Sequence, residues 1–494
     1  MKILFLYLKF FIKKLFQNSL TAYITSFFIL LSLKKFPGLK KKDAIRVLVF
    51  SDKRWMQGIY VLNRDSKIII CKIPDIINKY INAIFNARMM LNYCLNDQTF
   101  QTKKRKKEKI VFDKPLSLNY YMVTNKKILD DRIKKEKFIK IIAKNLSYFS
   151  KIECGITCGL KYSAEQAWGL GFHKGGIPFI SLFKEFADYN MDQLTEKLND
   201  FKIANQNFPG TAIGVINKNI KKAIEKTKVF SKVYVKDVGF LRFDDIFQKK
   251  KEVININKKK SITLFSETPF SSNIRPKKYA RSLKSLDIYK LYFSEKHDEG
   301  FAKLFLNTHK IFIKQAEKNK NINFYIKPKR LDLVNEKKYK QILLNLIKKV
   351  TGKDPEKIKN LIITNENSLN LIKKSKNVIC FNTTVVLESV VLGVAPIIPI
   401  FDEAKKKYSK NVFFKEDGDI VHFVNTHNNY IKMINFSLKN KIRLIKNKKK
   451  IDNFLRKYIN YSNSSSKKQT ILFIKKVMND YKKNLYKERN QNTY

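Results

Sequence analysis

Cysteine is scarce in this chain, with five in 494 residues, at positions 71, 94, 154, 158 and 380. So few thiols, odd in number and mostly set in apolar runs, exclude a disulfide scaffold and suit a reducing cytoplasm. Cys154 and Cys158 have three residues between them in an Ile/Gly-rich run, with no histidine or second cysteine pair nearby. That argues against zinc and for two buried small residues. The apolar run Leu20 to Leu33 is about 14 residues, short of the roughly 20 that a spanning helix needs. No Asp-x-Asp closes a strand-like run, and no repeat of solenoid period is present. Acidic residues number 42 against 101 Lys+Arg, a net +59. Arginine is scarce beside lysine, and the lysines are scattered instead of clustered with exposed aromatics, so no nucleic-acid module is visible. Most of that charge reads as solvated surface.

What is present is a foldable chain, 44% hydrophobic and 13% aromatic, long enough for two or three domains. Residues 1–43 form a first unit: Lys2, Lys9 and Lys13 share one helical face and Phe5, Leu8, Phe11, Ile12, Leu15 and Phe16 cover the rest. Lysines interrupt the apolar run and no small-residue cleavage site follows, which argues against a signal peptide. The next run contains Thr21, Thr25 and Ser26 and is flanked by Lys34, Lys35 and Lys40 to Lys42. An interfacial anchor on an anionic membrane surface fits it better than a span.

Short β-rich runs then alternate with helical patterns. Strands are expected at Arg46–Asp52, Lys67–Cys71, Glu153–Thr157, Ile177–Phe183, Thr211–Asn217 and Lys232–Lys236, with helices over Asp75–Asn96, Lys134–Tyr148 and Tyr162–Gly176. The run Lys103–Lys109 reads as a solvated loop. Lys184, Glu185 and Asp188 follow the fourth of these strands, where carboxylates face the ligand crevice of an open α/β sheet. After a lysine-rich linker, Lys249–Lys260, strands are expected at Ser261–Phe265, Asn323–Arg330 and Leu361–Ile363, with a helix near Glu299–Glu317 and another over Ser368–Ser375. The expected organisation is an amphipathic segment (1–43), a first α/β domain (44–248), a second (258–430), and basic helices with a tail (431–494).

The most informative stretch is Asn377–Ile400: an apolar run, then Asn382, Thr383 and Thr384, then an apolar segment closed by Gly393, then a second apolar run. That is a βαβ crossover with Thr383 or Thr384 at the N-cap and Gly393 as left-handed C-cap. Its turn offers backbone N–H groups, hydroxyls and the positive end of a helix dipole to an anion such as phosphate. Glu388 misses capping-box spacing by one residue, which leaves it able to meet ribose hydroxyls or to serve as a first-turn carboxylate.

This stretch resembles the nucleotide-binding segment of GT-B glycosyltransferases that build bacterial surface polysaccharides, the group holding capsule polysialyltransferases and Kdo transferases. Three further segments agree, in the order that group shows. His173–Glu185 passes through a His-Lys-Gly-Gly-Ile turn into a strand with an acidic end. Asp237–Asp245 is similar to a Gly-x-Pro-Arg-Phe-Asp segment, with Leu241 replacing proline. Lys327-Pro328-Lys329-Arg330 is similar to a Lys-Pro-His-Pro loop, with Lys329 in place of histidine. The resemblance covers roughly residues 150 to 410.

It implies an α/β protein of GT-B type, two Rossmann-like domains facing a central cleft, with the amphipathic segment in front. It also implies a transferase that moves a sugar, an acidic one such as sialic acid or Kdo being admissible, from a nucleotide-sugar to a glycan or lipid-linked acceptor at the cytoplasmic face of the bacterial inner membrane. Inversion without metal or other cofactor is expected, with cationic side chains offsetting the leaving phosphate. Candidate bases are Glu185 and then His173, while Glu153 and Asp52 stay open. Ser266, Lys327, Lys329, Arg330, Asn382, Thr383, Thr384 and Glu388 form the donor-binding set. Lysine at 329 favours binding over acid catalysis, because a group titrating at about 10 is a poorer proton donor than histidine. The competing readings are a CDP-polyol phosphotransferase, whose paired histidines are missing, a sugar-nucleotide 2-epimerase, and a basic protein that binds nucleic acid or membrane without catalysis.

Overall fold

Short Val/Ile-rich runs joined by helical segments too long for hairpins can pair only as parallel strands, and the chain does this twice. The structure, a computed structural model, describes residues 16–33, 44–50, 58–65, 67–85, 126–160, 163–203, 208, 210–230, 233–248, 260–266, 268–270, 293–295, 299–329, 333–460 and 465–491. Its contacts divide the chain into one unit of Met1–Ala187, Leu194–Asp244 and Ile459–Tyr494, and another of Asp188–Gln193 and Asp245–Tyr458.

In chain order the first stretch holds α1 (Ser19–Leu33), β1 (Ile45–Val49), β2 (Ile68–Lys72), α2 (Asp75–Ile84), α3 (Lys126–Ser150), β3 (Ile152–Thr157), α4 (Ser163–Lys174), β4 (Phe179–Phe183), α5 (Met191–Ile203), β5 (Ala212–Val215), α6 (Lys218–Thr227), β6 (Tyr234–Asp237) and α7 (Leu241–Gln248). The six strands form a parallel sheet in the order β2-β1-β3-β4-β5-β6. Its inner strands are buried on both faces, as helix-covered parallel strands are. One face carries Phe50, Trp168, Phe172 and Phe179 in mutual ring contact. Gly155 on β3 makes room for them, since a Cβ there would lie 2.7 Å from Phe179 and 2.9 Å from Phe172.

The second stretch holds β7 (Ser261–Ser266), α8 (Ala302–Lys318), β8 (Asn323–Pro328), α9 (Leu333–Thr351), β9 (Leu361–Ile363), α10 (Ser368–Lys374), β10 (Ser375–Cys380), α11 (Val385–Val391), β11 (Pro396–Pro399), β12 (His422–Val424), α12 (His427–Leu438), α13 (Lys448–Ile459) and α14 (Ser466–Gln491). The strand order β12-β11-β10-β7-β8-β9, all parallel, is the 3-2-1-4-5-6 order of a Rossmann sheet read from its far edge. The chain is therefore an α/β protein with two Rossmann-like units, the make-up of the GT-B fold.

Most expected elements stand within a few residues of their observed ends. α5, α9 and β12 had no counterpart in the sequence reading. Asp237–Asp245, read as a boundary segment, runs into α7, and the contact division falls between Asp244 and Asp245, ahead of the lysine-rich linker. Residues 431–494 do not stay together: α13 belongs to the second unit and α14 to the first. There Ile471, Phe473, Ile474, Val477 and Met478 of α14 pack into the core with Val47, Ile70, Ile156 and Ile180. Asp244 fixes the start of α14 by accepting from the backbone N–H of Ser466 at 3.1 Å and of Lys467 at 2.8 Å. The far part of the expected helix Asp75–Asn96, the loop Lys103–Lys109 and residues 1–15 lie outside the described residues. The described cysteines, Cys71, Cys154, Cys158 and Cys380, are all buried thiols outside any disulfide, and burial raises the first two, Cys71 to about 11.

Candidate functional site

In a 3-2-1-4-5-6 sheet the chain leaves the first strand to one side and returns on the other, so the helices diverge and leave a crevice beyond the carboxyl ends of strands 1 and 4. Here those strands are β7 and β10. An open crevice lies at that point, between the ends of β7 (Leu264–Ser266) and β10 (Cys380, Phe381), Pro399 of β11, and the first turns of α8. Its walls are mostly aromatic and aliphatic, through Phe301, Phe305 and Phe381, with the hydroxyls of Ser266, Thr268 and Thr308 among them. An apolar slot with a few polar groups is the usual form of a small-molecule site.

The register brings the expected donor-binding segments to one edge. Cys380 is paired with Phe265 and Phe265 with Lys327, one row across three strands. At about 4.8 Å per strand, the β8 and β10 ends are about 10 Å apart. The backbone N–H of Lys329 donates to the carbonyl of Ser266 at 3.0 Å, holding the β8 loop against the β7 end. Lys327 is half-buried and Lys329 exposed, whereas Arg330 lies outside the described residues. Thr383 and Thr384 are half-buried at the head of α11.

Local geometry differs from the sequence reading at three of these positions. Thr384 stands at the N-cap with helical backbone angles and makes no side-chain cap; Thr383 Oγ1 instead accepts from the N–H of Val385 at 3.4 Å. Asn382, in the left-handed region at φ +47°, turns its amide onto the protein: Oδ1 accepts from the N–H of Phe413 and Nδ2 donates to the carbonyl of Asn411, both at 2.9 Å. Its side chain shapes the loop over the β10 end. The same loop is gripped by Tyr189, 4.9 Å ring to ring from Phe413, and by Gln193 Nε2, which donates to the carbonyl of Lys410. Glu388 is buried within α11. Gly393 closes α11 as expected, at φ +73°, with the N–H of Val394 donating to Ser389 and that of Gly393 to Val390.

Ser266 is committed inside the fold. Nδ1 of His309 lies 2.7 Å from the carbonyl of Phe305, which can only accept, so that nitrogen carries the proton. Burial pushes His309 down to about 4, so the ring is neutral and its Nε2 accepts from Ser266 Oγ at 2.8 Å. Tyr339, raised by burial, donates in turn to Ser266 Oγ at 2.6 Å. The N-terminus of α8, which borders the crevice, is also taken. Glu403 accepts from the N–H groups of Lys303 at 2.8 Å and Leu304 at 2.9 Å, so these first-turn donors are satisfied within the fold. Thr308 is 5% exposed and its Oγ1 has no hydrogen-bond partner among the described residues. Reasoning from sequence missed Thr308, His309 and Glu403, because nothing in a lysine-rich amphipathic helix marks which turn meets a sheet edge.

The first unit has its own crevice, beyond the carboxyl ends of β3 to β6, lined by Cys158, Phe183, Lys184, Gly214, Gly239 and Arg242 among others. Glu185 follows Lys184 directly, half-buried, two residues past β4. His173 is not with it. α4 ends at Lys174 and feeds the amino end of β4, so His173 is exposed at the opposite edge of the sheet, about 16 Å away along the strand, where Tyr481 Oη donates to its carbonyl at 3.1 Å. Glu153 likewise sits at the amino end of β3, paired with Lys482 at 3.3 Å. Asp52 lies outside the described residues. No cluster of three His, Cys, Asp or Glu side chains able to hold a metal is found among the described residues.

No protein-family model matches the chain, and no curated protein is similar to it in sequence. Among solved structures it is similar to UDP-GlcNAc 2-epimerase from Neisseria meningitidis bound to UDP-GlcNAc (TM-score 0.45, 12% identity, 87% of this chain and 100% of that one). It is also similar to an α,α-trehalose-phosphate synthase from Burkholderia vietnamiensis (0.45, 11%, 88% and 100%) and to a glycosyltransferase from Rickettsia africae (0.41, 10%, 88% and 99%).

Proposed function

We propose that the chain is a glycosyltransferase that takes a nucleotide-sugar at the switch point of the second unit and passes the sugar to a glycan or lipid-linked acceptor of a surface polysaccharide. The observation that carries the reading is the shared carboxyl edge of the sheet: the crevice lies between the ends of β7 and β10, and Lys327 of β8 and Cys380 of β10 stand in one row with Phe265. The apolar walls suit a nucleobase and the hydroxyls of Thr268 and Thr308 a ribose, while Lys327 and Lys329 suit the diphosphate or phosphate. Lysine pairs with phosphate as a compact charge and offsets the negative charge that grows on the leaving oxygen.

The reaction is written as an inverting displacement. Glu185 takes the proton of the acceptor hydroxyl, that oxygen attacks the anomeric carbon, and the bond from this carbon to the phosphate oxygen breaks, leaving a nucleotide whose charge the lysines balance. Lys184, next to Glu185 in the chain, and Arg242 line the crevice of the first unit and favour an acidic acceptor or sugar.

The test is a thermal-shift series with CMP, CDP and UDP on the parent, Thr383→Ala and Lys327→Ala. One nucleotide is expected to stabilise the parent and to lose most of that shift in both variants. A shift of equal size in all three proteins removes this site. Turnover of the matching nucleotide-sugar, lost in Glu185→Gln with binding retained, tests the base.

A further inference from the structure

Helix α1 is built inside out. Its fifteen residues, Ser19–Leu33, carry no charge, and the face turned to the protein is the small and polar one: Thr21, Ala22, Thr25 and Ser26, with Ile29 and Leu33. The hydroxyls there are satisfied locally, Thr25 donating to the carbonyl of Thr21 and Ser26 to that of Ala22, both at 2.7 Å, while Asn145 of α3 donates to Ser26 Oγ at 3.1 Å. The face turned away holds the large apolar residues: Leu20, Tyr23, Ile24, Phe27, Phe28 and Leu31, each between 40% and 69% exposed, at the i, i+3, i+4 spacing of one continuous stripe. Of the sixteen large apolar side chains exposed among the described residues, six lie on this one helix, so the stripe is a concentrated patch and not ordinary surface scatter.

The helix is held in place. Gln17 Nε2 donates to the carbonyl of Ile84 at 2.9 Å, Phe16 meets the ring of Tyr80 edge-on at 6.5 Å, and α1 packs along α3, whose end adds exposed Tyr148 and Phe149. Fifteen residues span about 22 Å, less than the roughly 30 Å hydrocarbon core, and no described helix is long and apolar enough to cross a membrane. The stripe is therefore shaped to lie in an interface, not to pass through one.

Charge decides the occupant. The first 42 residues contain nine lysines and no acidic residue, the first acid being Asp43. A second copy of the chain would bring the same positive flanks against these, whereas a surface of anionic headgroups complements them and offers acyl chains to Phe27 and Phe28. We propose that α1 docks in the plane of an anionic bilayer, its Leu20–Leu31 stripe inserted at the boundary between headgroups and acyl chains and its threonine-serine face kept on α3. This stands independently of the reaction proposed above.

The test is flotation of the full chain with phosphatidylcholine vesicles, with and without phosphatidylglycerol. Binding to the anionic vesicles is expected, reduced at least tenfold by the double variant Phe27→Glu/Phe28→Glu and unchanged by Phe436→Glu, an exposed phenylalanine on α12. Thermal melts confirm that the variants fold, and Phe28→Trp is expected to shift its emission to the blue on the anionic vesicles. Three results overturn the proposal: no binding to anionic vesicles, binding by the double variant equal to the parent's, or a soluble dimer that the double variant dissociates while vesicle binding persists.

Discussion

Ser266 Oγ donates to Nε2 of His309 across 2.8 Å, and both groups are almost wholly buried. A serine beside a histidine at the end of a parallel strand invites comparison with a nucleophile, yet here the ring's other nitrogen faces a carbonyl and the serine accepts from Tyr339. The three side chains form a chain of hydrogen bonds that pins α8 and α9 to the end of β7, where the Ser266 carbonyl also accepts from the N–H of Lys329.

That chain makes stability depend on acid. His309 titrates at about 4 in the folded protein against 6.5 in the open chain, so the unfolded state binds the extra proton between those values. Stability is full above pH 6.5 and falls as pH drops towards 4, by about 3 kcal/mol in total. Urea melts from pH 4 to 7.5 are expected to show this slope and to flatten in His309→Gln. Ser266→Ala, which strands two buried partners, is expected to cost about 1–3 kcal/mol at pH 7.

Thr308→Val separates a structural residue from a ligand contact. The hydroxyl it removes is buried without a hydrogen-bond partner among the described residues, so the free protein is expected to melt no lower than the parent and up to about 1 kcal/mol more stably. The stabilising shift of whichever of CMP, CDP and UDP the thermal-shift series selects is expected to shrink in this variant, measured by calorimetry with and without that nucleotide.

Asn382 combines a left-handed backbone with two bonds to the loop over β10. Asn382→Ala is expected to cost about 2–3 kcal/mol, losing the bonds and straining φ, whereas Asn382→Gly loses only the bonds. Denaturant titration of the two variants reads the difference, and faster proteolysis within 409–414 reads the loosened loop.

Asp244 and Glu403 cap helices far from them in sequence, each with both oxygens. Asp244→Ala and Glu403→Ala are each expected to cost about 0.5–2 kcal/mol. Hydrogen exchange distinguishes them: the first variant exposes amides at the start of α14, the second those at the start of α8. The second also opens an N-terminus beside the crevice, so inorganic phosphate is expected to stabilise Glu403→Ala more than the parent.

Much of the architecture was legible because it rests on local pattern. Val/Ile-rich runs at crossover spacing specify parallel strands, Gly393 specifies a left-handed helix end, and the order of such runs gives two Rossmann-like sheets. The turns after β8 and β10 were legible too, because strand ends in such sheets carry ligand-facing residues wherever they occur. What the residues do there was not. Asn382 reads as a ligand donor until the loop 411–413 is brought over it, and His173 reads as a base until the passage from α4 to β4 puts it at the far edge of the sheet. Ser266 turns inward only because two helices, begun more than thirty residues later, deliver His309 and Tyr339 to it. The lysine-flanked run at Leu20 announced a surface helix, but which of its faces is turned outward was decided by α3. Sequence settles what each segment is, since hydrophobic period and turn chemistry act within a few residues. Contacts made across tens of residues settle which polar group is spent on the fold.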